Sequence, residues 1–182
     1  MFDLPPSTHI YSTRFGLQVS ADSRDVLRVL PKASVDLIVT SPPFALLRKK
    51  SYGNENQAEY GAWLGEFGEL AFPVLKQTGS FVLDLGGAYE RGRPVRSLYN
   101  FRVLLDFCDR IGYRLAEAFF WYNPAKLPSP IEWVNKRKVR AKDAVNTVWW
   151  FSKSDDPKAD VTQVLVPYSA RMKVLLKDPG AF

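Results

Sequence analysis

Two apolar runs with an amphipathic stretch between them limit what this chain can become. Val35-Asp36-Leu37-Ile38-Val39 and Phe81-Val82-Leu83-Asp84-Leu85 have the near-continuous apolar character of buried strands. Between them Tyr60, Trp63, Leu64, Phe67, Leu70, Ala71, Val74 and Leu75 recur at helical spacing over residues 57–76. Further on, Leu98, Phe101, Leu104, Leu105, Cys108 and Ile111 mark a second helix that stops near Gly112, and 115–122 and 146–152 read as strands. Strand and helix thus alternate from residue 35 to 122, which predicts an α/β domain with a largely parallel sheet. Ahead of it, residues 9–20 alternate around Gly16 as a short hairpin or edge strand, and Asp22-Ser23 reads as the cap of a short helix through Leu30.

In sheets of this kind ligands bind beyond the carboxyl ends of the strands. Ser41 to Phe44, Asp84 to Gly87, and Asn123-Pro124 all follow strand ends and are placed to line one crevice. Thr40-Ser41-Pro42-Pro43-Phe44 offers a small hydroxyl, backbone carbonyls stiffened by two prolines, and an aromatic ring. Those groups suit a flat ligand with polar edges, such as a nucleobase turned out of its stack. Gly86-Gly87 reads as a tight turn that lets a base or a backbone come close. Asp84 is either a hydrogen-bonding group in the crevice or a solvated strand-end residue. Of Trp121 and Tyr122, which end a strand, Trp121 is better read as core; Trp149 and Trp150 read as structural, and Cys108 as buried on a helix face.

Charge points to a partner. The 182 residues carry a net charge of +6 with 46% hydrophobic content. Basic residues cluster as Arg91, Arg93, Arg96 and Arg102; as Lys126, Lys136, Arg137, Lys138, Arg140 and Lys142; and as Arg48-Lys49-Lys50 just past Phe44. Three such runs, one beside a candidate base pocket, favour a phosphate backbone. One cysteine and one histidine leave no internal disulfide and little for a metal cluster or a Ser-His-Asp triad, so no metal is expected. No apolar stretch has membrane-spanning length and the start lacks an export pattern, which fits a reducing cytoplasm.

With these residues in view, the chain resembles the amino-group DNA methyltransferases. Ser-Pro-Pro-Phe after a buried strand is the serine form of their catalytic motif, typical of the cytosine-N4 enzymes. The likeness extends over Thr40–Asn54 (TSPPFALLRKKSYGN), Phe81–Tyr89 (FVLDLGGAY), Tyr99–Leu104 (YNFRVL), Asn123–Lys138 (NPAKLPSPIEWVNKRK) and Val145–Lys153 (VNTVWWFSK). The order of the blocks is that of the permuted class, in which the catalytic half comes first, then the DNA-reading region, and last a Phe-x-Gly-x-Gly loop for S-adenosylmethionine.

The resemblance implies a Rossmann-like S-adenosylmethionine-dependent sheet, incomplete in this chain, with a basic DNA-reading insertion. Residues 1–124 would form the catalytic subdomain, and 125–182 the DNA-contacting region, with strand 146–152 returning to the sheet. Ser41, Pro42, Pro43 and Phe44 would carry catalysis, with Asp84 and Tyr122 in the base pocket. Asp22 and Ser23 would face the cofactor, although helix capping explains Asp22 equally well. Arg48, Lys49, Lys50, Lys136, Arg137, Lys138 and Arg140 would contact double-stranded DNA, with CAGCTG as the candidate site. Leu83-Asp84-Leu85-Gly86-Gly87 is an alternative for the glycine loop, although its place after Ser41 fits the catalytic half. The expected activity is therefore one half of a split cytosine-N4 DNA methyltransferase of a restriction-modification system, with a second polypeptide supplying the glycine loop. The rivals are a DNA-binding remnant without chemistry and an adenine-N6 enzyme.

Overall fold

The computed structural model describes residues 9–45, 57–128, 130–178 and 180. The chain opens with an antiparallel hairpin of β1 (His9–Ser12) and β2 (Leu17–Val19), its turn closed by the Thr13 N–H donating to Gly16 O at 2.8 Å. α1 (Ser23–Val29) starts at Asp22, whose carboxylate accepts the Arg24 N–H at 2.9 Å and satisfies a donor that a helix start otherwise leaves free. β3 (Val35–Thr40) follows.

α2 (Tyr60–Val74) then runs directly into β4 (Leu75–Gly86), which starts earlier than its apolar run indicates. The junction holds because the turn before β3 takes the last carbonyls of α2: the N–H groups of Ala33 and Ser34 donate to Pro73 O and Val74 O at 3.0 and 2.9 Å. α3 (Tyr99–Leu105) continues as a π-helical segment, Asp106–Ile111, and stops at Gly112, whose φ of 98° lies in the left-handed region. β5 (Arg114–Tyr122), a second π-helical segment (Glu132–Lys136), β6 (Val145–Ser152), a 3₁₀ turn (Thr162–Val164) and α4 (Ala170–Lys177) complete the order.

The main sheet has the order β3-β4-β6-β5. β3 and β4 pair in parallel around the α2 crossover, as expected, and β6 does return to the sheet. It enters between β4 and β5, antiparallel to both, so the sheet is mixed rather than largely parallel. The reason is the connection: the segment from β5 to β6 contains no long crossover helix, so the chain doubles back.

One face of the sheet is closed. Phe81, Leu83, Leu85, Trp149 and Phe151 meet Leu64, Ala71, Tyr99, Val103 and Phe107 in a single core. Phe107 stacks on Phe151 and Tyr113 with ring centroids 5.0 and 5.5 Å away. Gly68 of α2 makes this possible: a Cβ there would lie 2.7 Å from the Phe107 ring and 2.8 Å from Ile111. Cys108 is half-buried at the edge of this core, and burial pushes its thiol pKa up.

The opposite face is open among the described residues. Leu37, Val39, Phe119 and Trp121 are exposed there, and Trp150 stacks on Phe119. Trp121 is 54% exposed, against the expectation of a core residue, because β5 is an edge strand with nothing described over that face. Trp149 is buried, as a structural tryptophan should be. Among the described residues no helix is long and apolar enough to cross a membrane.

Candidate active site

The carboxyl ends of β3 and β4 and the start of β6 meet at one point. One residue beyond the Thr40–Leu83 pair, the Ser41 hydroxyl donates to Asp84 Oδ2 at 3.0 Å. The Asn146 amide, opposite Gly86 on β6, reaches the same oxygen at 3.5 Å. Asp84 Oδ1 is buried and has no hydrogen-bond partner. Sheet alternation puts Val82, Asp84 and Gly86 on one face. Across the sheet, Asn146 pairs with Trp121, and Val148 pairs with Asp84 and Phe119. Trp121 therefore shares the Asp84 face.

Tyr122 does not. It pairs with Val145 and belongs to the other face, so the strand register separates it from Asp84, whereas Trp121 lies on the Asp84 face. Phe44 is half-buried, and its ring lies against Gly86, where a Cβ would fall 2.4 Å from it. The glycine is thus needed for contact with the ring. The Tyr99 hydroxyl donates to Gly86 O from inside the core and pins the same turn. Pro42 and Pro43 are half-buried between Ser41 and Phe44, which leaves the serine at the surface and the ring tucked beneath it.

A cleft of about 670 Å³ opens beside β3. Ser41, Pro42 and Pro43 line one side, and Ser23, Leu27, Trp63 and Phe67 line another, so the candidate catalytic motif and Ser23 share one space. Asp22 is absent from the lining. Its carboxylate caps α1 and pairs with Arg24 at 2.7 Å, and Arg24 also holds Glu66 at 3.0 Å. Hydrogen bonds from the Arg24 side chain and backbone lower the Asp22 pKa to about 2. The capping role of Asp22 is thus realised in the fold.

The basic residues differ in what they do. Lys136 pairs with Glu132 at 3.4 Å, one helical turn away. Arg137 and Lys138 are exposed, and Lys138 has a φ of 53° where the π-helical segment ends. Arg140 gives its guanidinium to backbone carbonyls, Pro94 O at 2.5 Å and Val139 O at 2.7 Å, and so joins two loops. Arg48, Lys49 and Lys50 lie outside the described residues. Asn146 lies within the Val145–Lys153 block, but sequence reasoning gives it no site role, because only the β6 register brings it to Asp84. Arg96 carried a signal as a member of an arginine run, but its place beside Gly87 did not.

The chain as a whole is similar to known proteins. Residues 35–179 fit the family model described as DNA methylase, that of the N6/N4 enzymes. The type II methyltransferase M.PvuII of Proteus hauseri is 58% identical over 172 residues, covering 94% of this chain and 51% of the relative. The type II methyltransferase M.BglII of Bacillus subtilis is 26% identical over 148 residues, 81% of this chain and 38% of the relative. The chain thus spans about half the length, or less, of these curated relatives. Among solved structures, the PvuII DNA methyltransferase (cytosine-N4-specific) superposes with a TM-score of 0.80 at 55% identity, covering 88% of this chain and 57% of that one. A proposed DNA modification methylase of Thermus thermophilus, solved with S-adenosyl-L-methionine, superposes at 0.55 with 18% identity over 78% of this chain and 55% of that one, and so shares the fold.

Proposed function

Since the chain belongs to the N6/N4 DNA methylase family, we propose that it forms the base-binding part of a DNA methyltransferase that acts on N4 of a flipped cytosine in duplex DNA. The observation that carries this reading is the Ser41 hydroxyl committed to Asp84 at the mouth of the cleft, with the Phe44 ring fixed beside it.

An exocyclic amino nitrogen is a poor nucleophile because its lone pair is delocalised into the ring. Accepting hydrogen bonds from its two hydrogens draws it toward a tetrahedral form with the lone pair free. Ser41 is arranged for this: its hydrogen goes to Asp84, which turns the oxygen lone pairs outward. The Pro42 carbonyl, stiffened by two prolines, is the second acceptor. The Asp84 anion offsets positive charge that grows on the nitrogen during transfer. Phe44 stacks on one face of the base, and Trp121 stands on the Asp84 side as the second wall. Ser41 acts here as an acceptor rather than as a nucleophile, and no covalent adduct is required.

The cleft also fits S-adenosylmethionine: Trp63, Phe67 and Leu27 give it apolar walls suited to an adenine ring, and Ser23 opens it at the start of α1. When bound, the cofactor supplies an electrophilic methyl carbon. Arg137 and Lys138, with Lys136 and Arg48 to Lys50, would take the phosphate backbone. The open apolar face and the free edge of β3 among the described residues support completion of the sheet by further polypeptide, which we place on a second chain carrying the glycine loop.

Nucleoside mass spectrometry of CAGCTG duplexes incubated with cofactor and the completing polypeptide tests the reading. N4-methylcytosine is the expected product, and N6-methyladenine would move the assignment to the adenine enzymes. DNA binding with no cofactor binding in calorimetry would leave a module without chemistry. Robust transfer by this chain alone would sink the two-chain arrangement while leaving the chemistry intact.

A further inference from the structure

Next to the base pocket stands an arginine to which the chemistry above gives no task. Arg96 follows β4 and forms a bridge with Tyr89 that closes the loop between them. Its guanidinium lies against Gly87, where a Cβ would fall 2.1 Å from Nη2. It sits over the Tyr89 ring, 5.3 Å from the centroid, and its Nη1 is 2.9 Å from Asp143 Oδ1. Asp143 precedes β6, and its side chain is only 11% exposed. Its other oxygen is 3.5 Å from Lys126 Nζ. Two further contacts join the same loops: Tyr89 meets Trp133, and Arg140 donates to Pro94 O.

We propose that Arg96 is a positioning residue that couples the basic segment before β6 to the target-base pocket. The proposal rests on the base-flipping reading above. The path is short. Arg96 presses on Gly87, Gly87 adjoins Gly86, and Gly86 carries the Phe44 ring. Asp143 holds Arg96 there while shared with Lys126. A DNA phosphate that draws Lys126 away leaves the whole Asp143 charge to Arg96, so binding on the basic segment tightens the clamp on the pocket floor. The planar guanidinium both stacks and pairs, and lysine cannot do both.

The test uses the full chain together with the completing polypeptide, and CAGCTG duplexes with 2-aminopurine replacing each cytosine in turn, since its fluorescence rises when the base leaves the stack. Arg96→Ala and Arg96→Lys are expected to lower the flipping equilibrium about tenfold, while the salt dependence of affinity stays that of the wild type. Gly87→Ala, which expels Arg96, should cause the same loss alone and no further loss in the Arg96→Ala background. Equal flipping by wild type and Arg96→Ala overturns the proposal, as do losses that simply multiply in the double variant. A salt slope lowered by about one phosphate in Arg96→Ala also overturns it, because Arg96 would then be a direct DNA contact. Wild-type chain that binds the duplex with no fluorescence rise at any position removes the base-pocket reading itself, and this inference with it.

Discussion

Asp84→Asn separates chemistry from stability. Asp84 Oδ2 accepts the Ser41 hydroxyl at 3.0 Å and the weaker Asn146 contact at 3.5 Å, while Oδ1 is buried without a partner. A hydrogen bond to a charged group is worth roughly 1.5–3 kcal/mol, so loss of the charge should slow methyl transfer about ten- to a hundredfold if Asp84 orients Ser41. The fold gains instead, because a carboxylate with one buried and unsatisfied oxygen is replaced by a neutral group of the same shape. Transfer of labelled methyl to duplex DNA by the completed enzyme should show a lower kcat at unchanged DNA affinity, and the melting temperature should hold or rise. Ser41→Ala should match the rate loss, and the double variant should be no slower than either single one. A melting temperature that drops in step with the rate would refute the reasoning, as would rate losses that multiply in the double variant.

Phe107→Ala empties the centre of the aromatic core and should cost about 3–5 kcal/mol, read as a lower urea midpoint; a shift near zero would mean the core collapses around the gap. Lys138→Gly relieves a left-handed backbone at φ 53° and should stabilise the fold by about 1 kcal/mol in thermal melts, with no gain if the turn has other constraints. For Asp22 the folded pKa is depressed, so its charge stabilises above the ordinary value of 3.8 and that contribution is lost as pH falls through about 2. Acid melts of wild type and Asp22→Asn, which still caps the helix, should converge across that window; the effect is small and salt-sensitive because the pair is exposed.

The elements that local pattern dictates were legible in the sequence. The hairpin around Gly16, the Asp22 cap, the α2 face and the stop at Gly112 each follow from side-chain periodicity or backbone chemistry within a few residues. What long-range pairing decides was not. Nothing local to Asn146–Ser152 says that this strand inserts antiparallel between β4 and β5, yet that insertion brings Asn146 to Asp84 and turns Tyr122 away from it. Trp121 carried the composition of a core residue, and only its place on an edge strand exposes it. The π-helical Asp106–Ile111 reads as ordinary helix because its apolar spacing is the same; the close approach permitted by Gly68 is a property of two helices together.

The Ser41–Asp84–Asn146 arrangement has a consequence for when the protein acquires its site. The two hydrogen bonds to Asp84 join residues 43 and 62 positions apart in the chain. No hairpin or isolated helix–strand unit contains all three. Both the parallel β3–β4 ladder and the returning β6 ladder must be in register, and such distant pairings are slow to close. A nascent or partly folded chain would already display its basic segment to nucleic acid while lacking the Ser41–Asp84–Asn146 arrangement to which base binding is assigned in the proposed function. Non-specific attraction to DNA should therefore precede competence to modify it, and recovery of the pocket during refolding should trail recovery of helix.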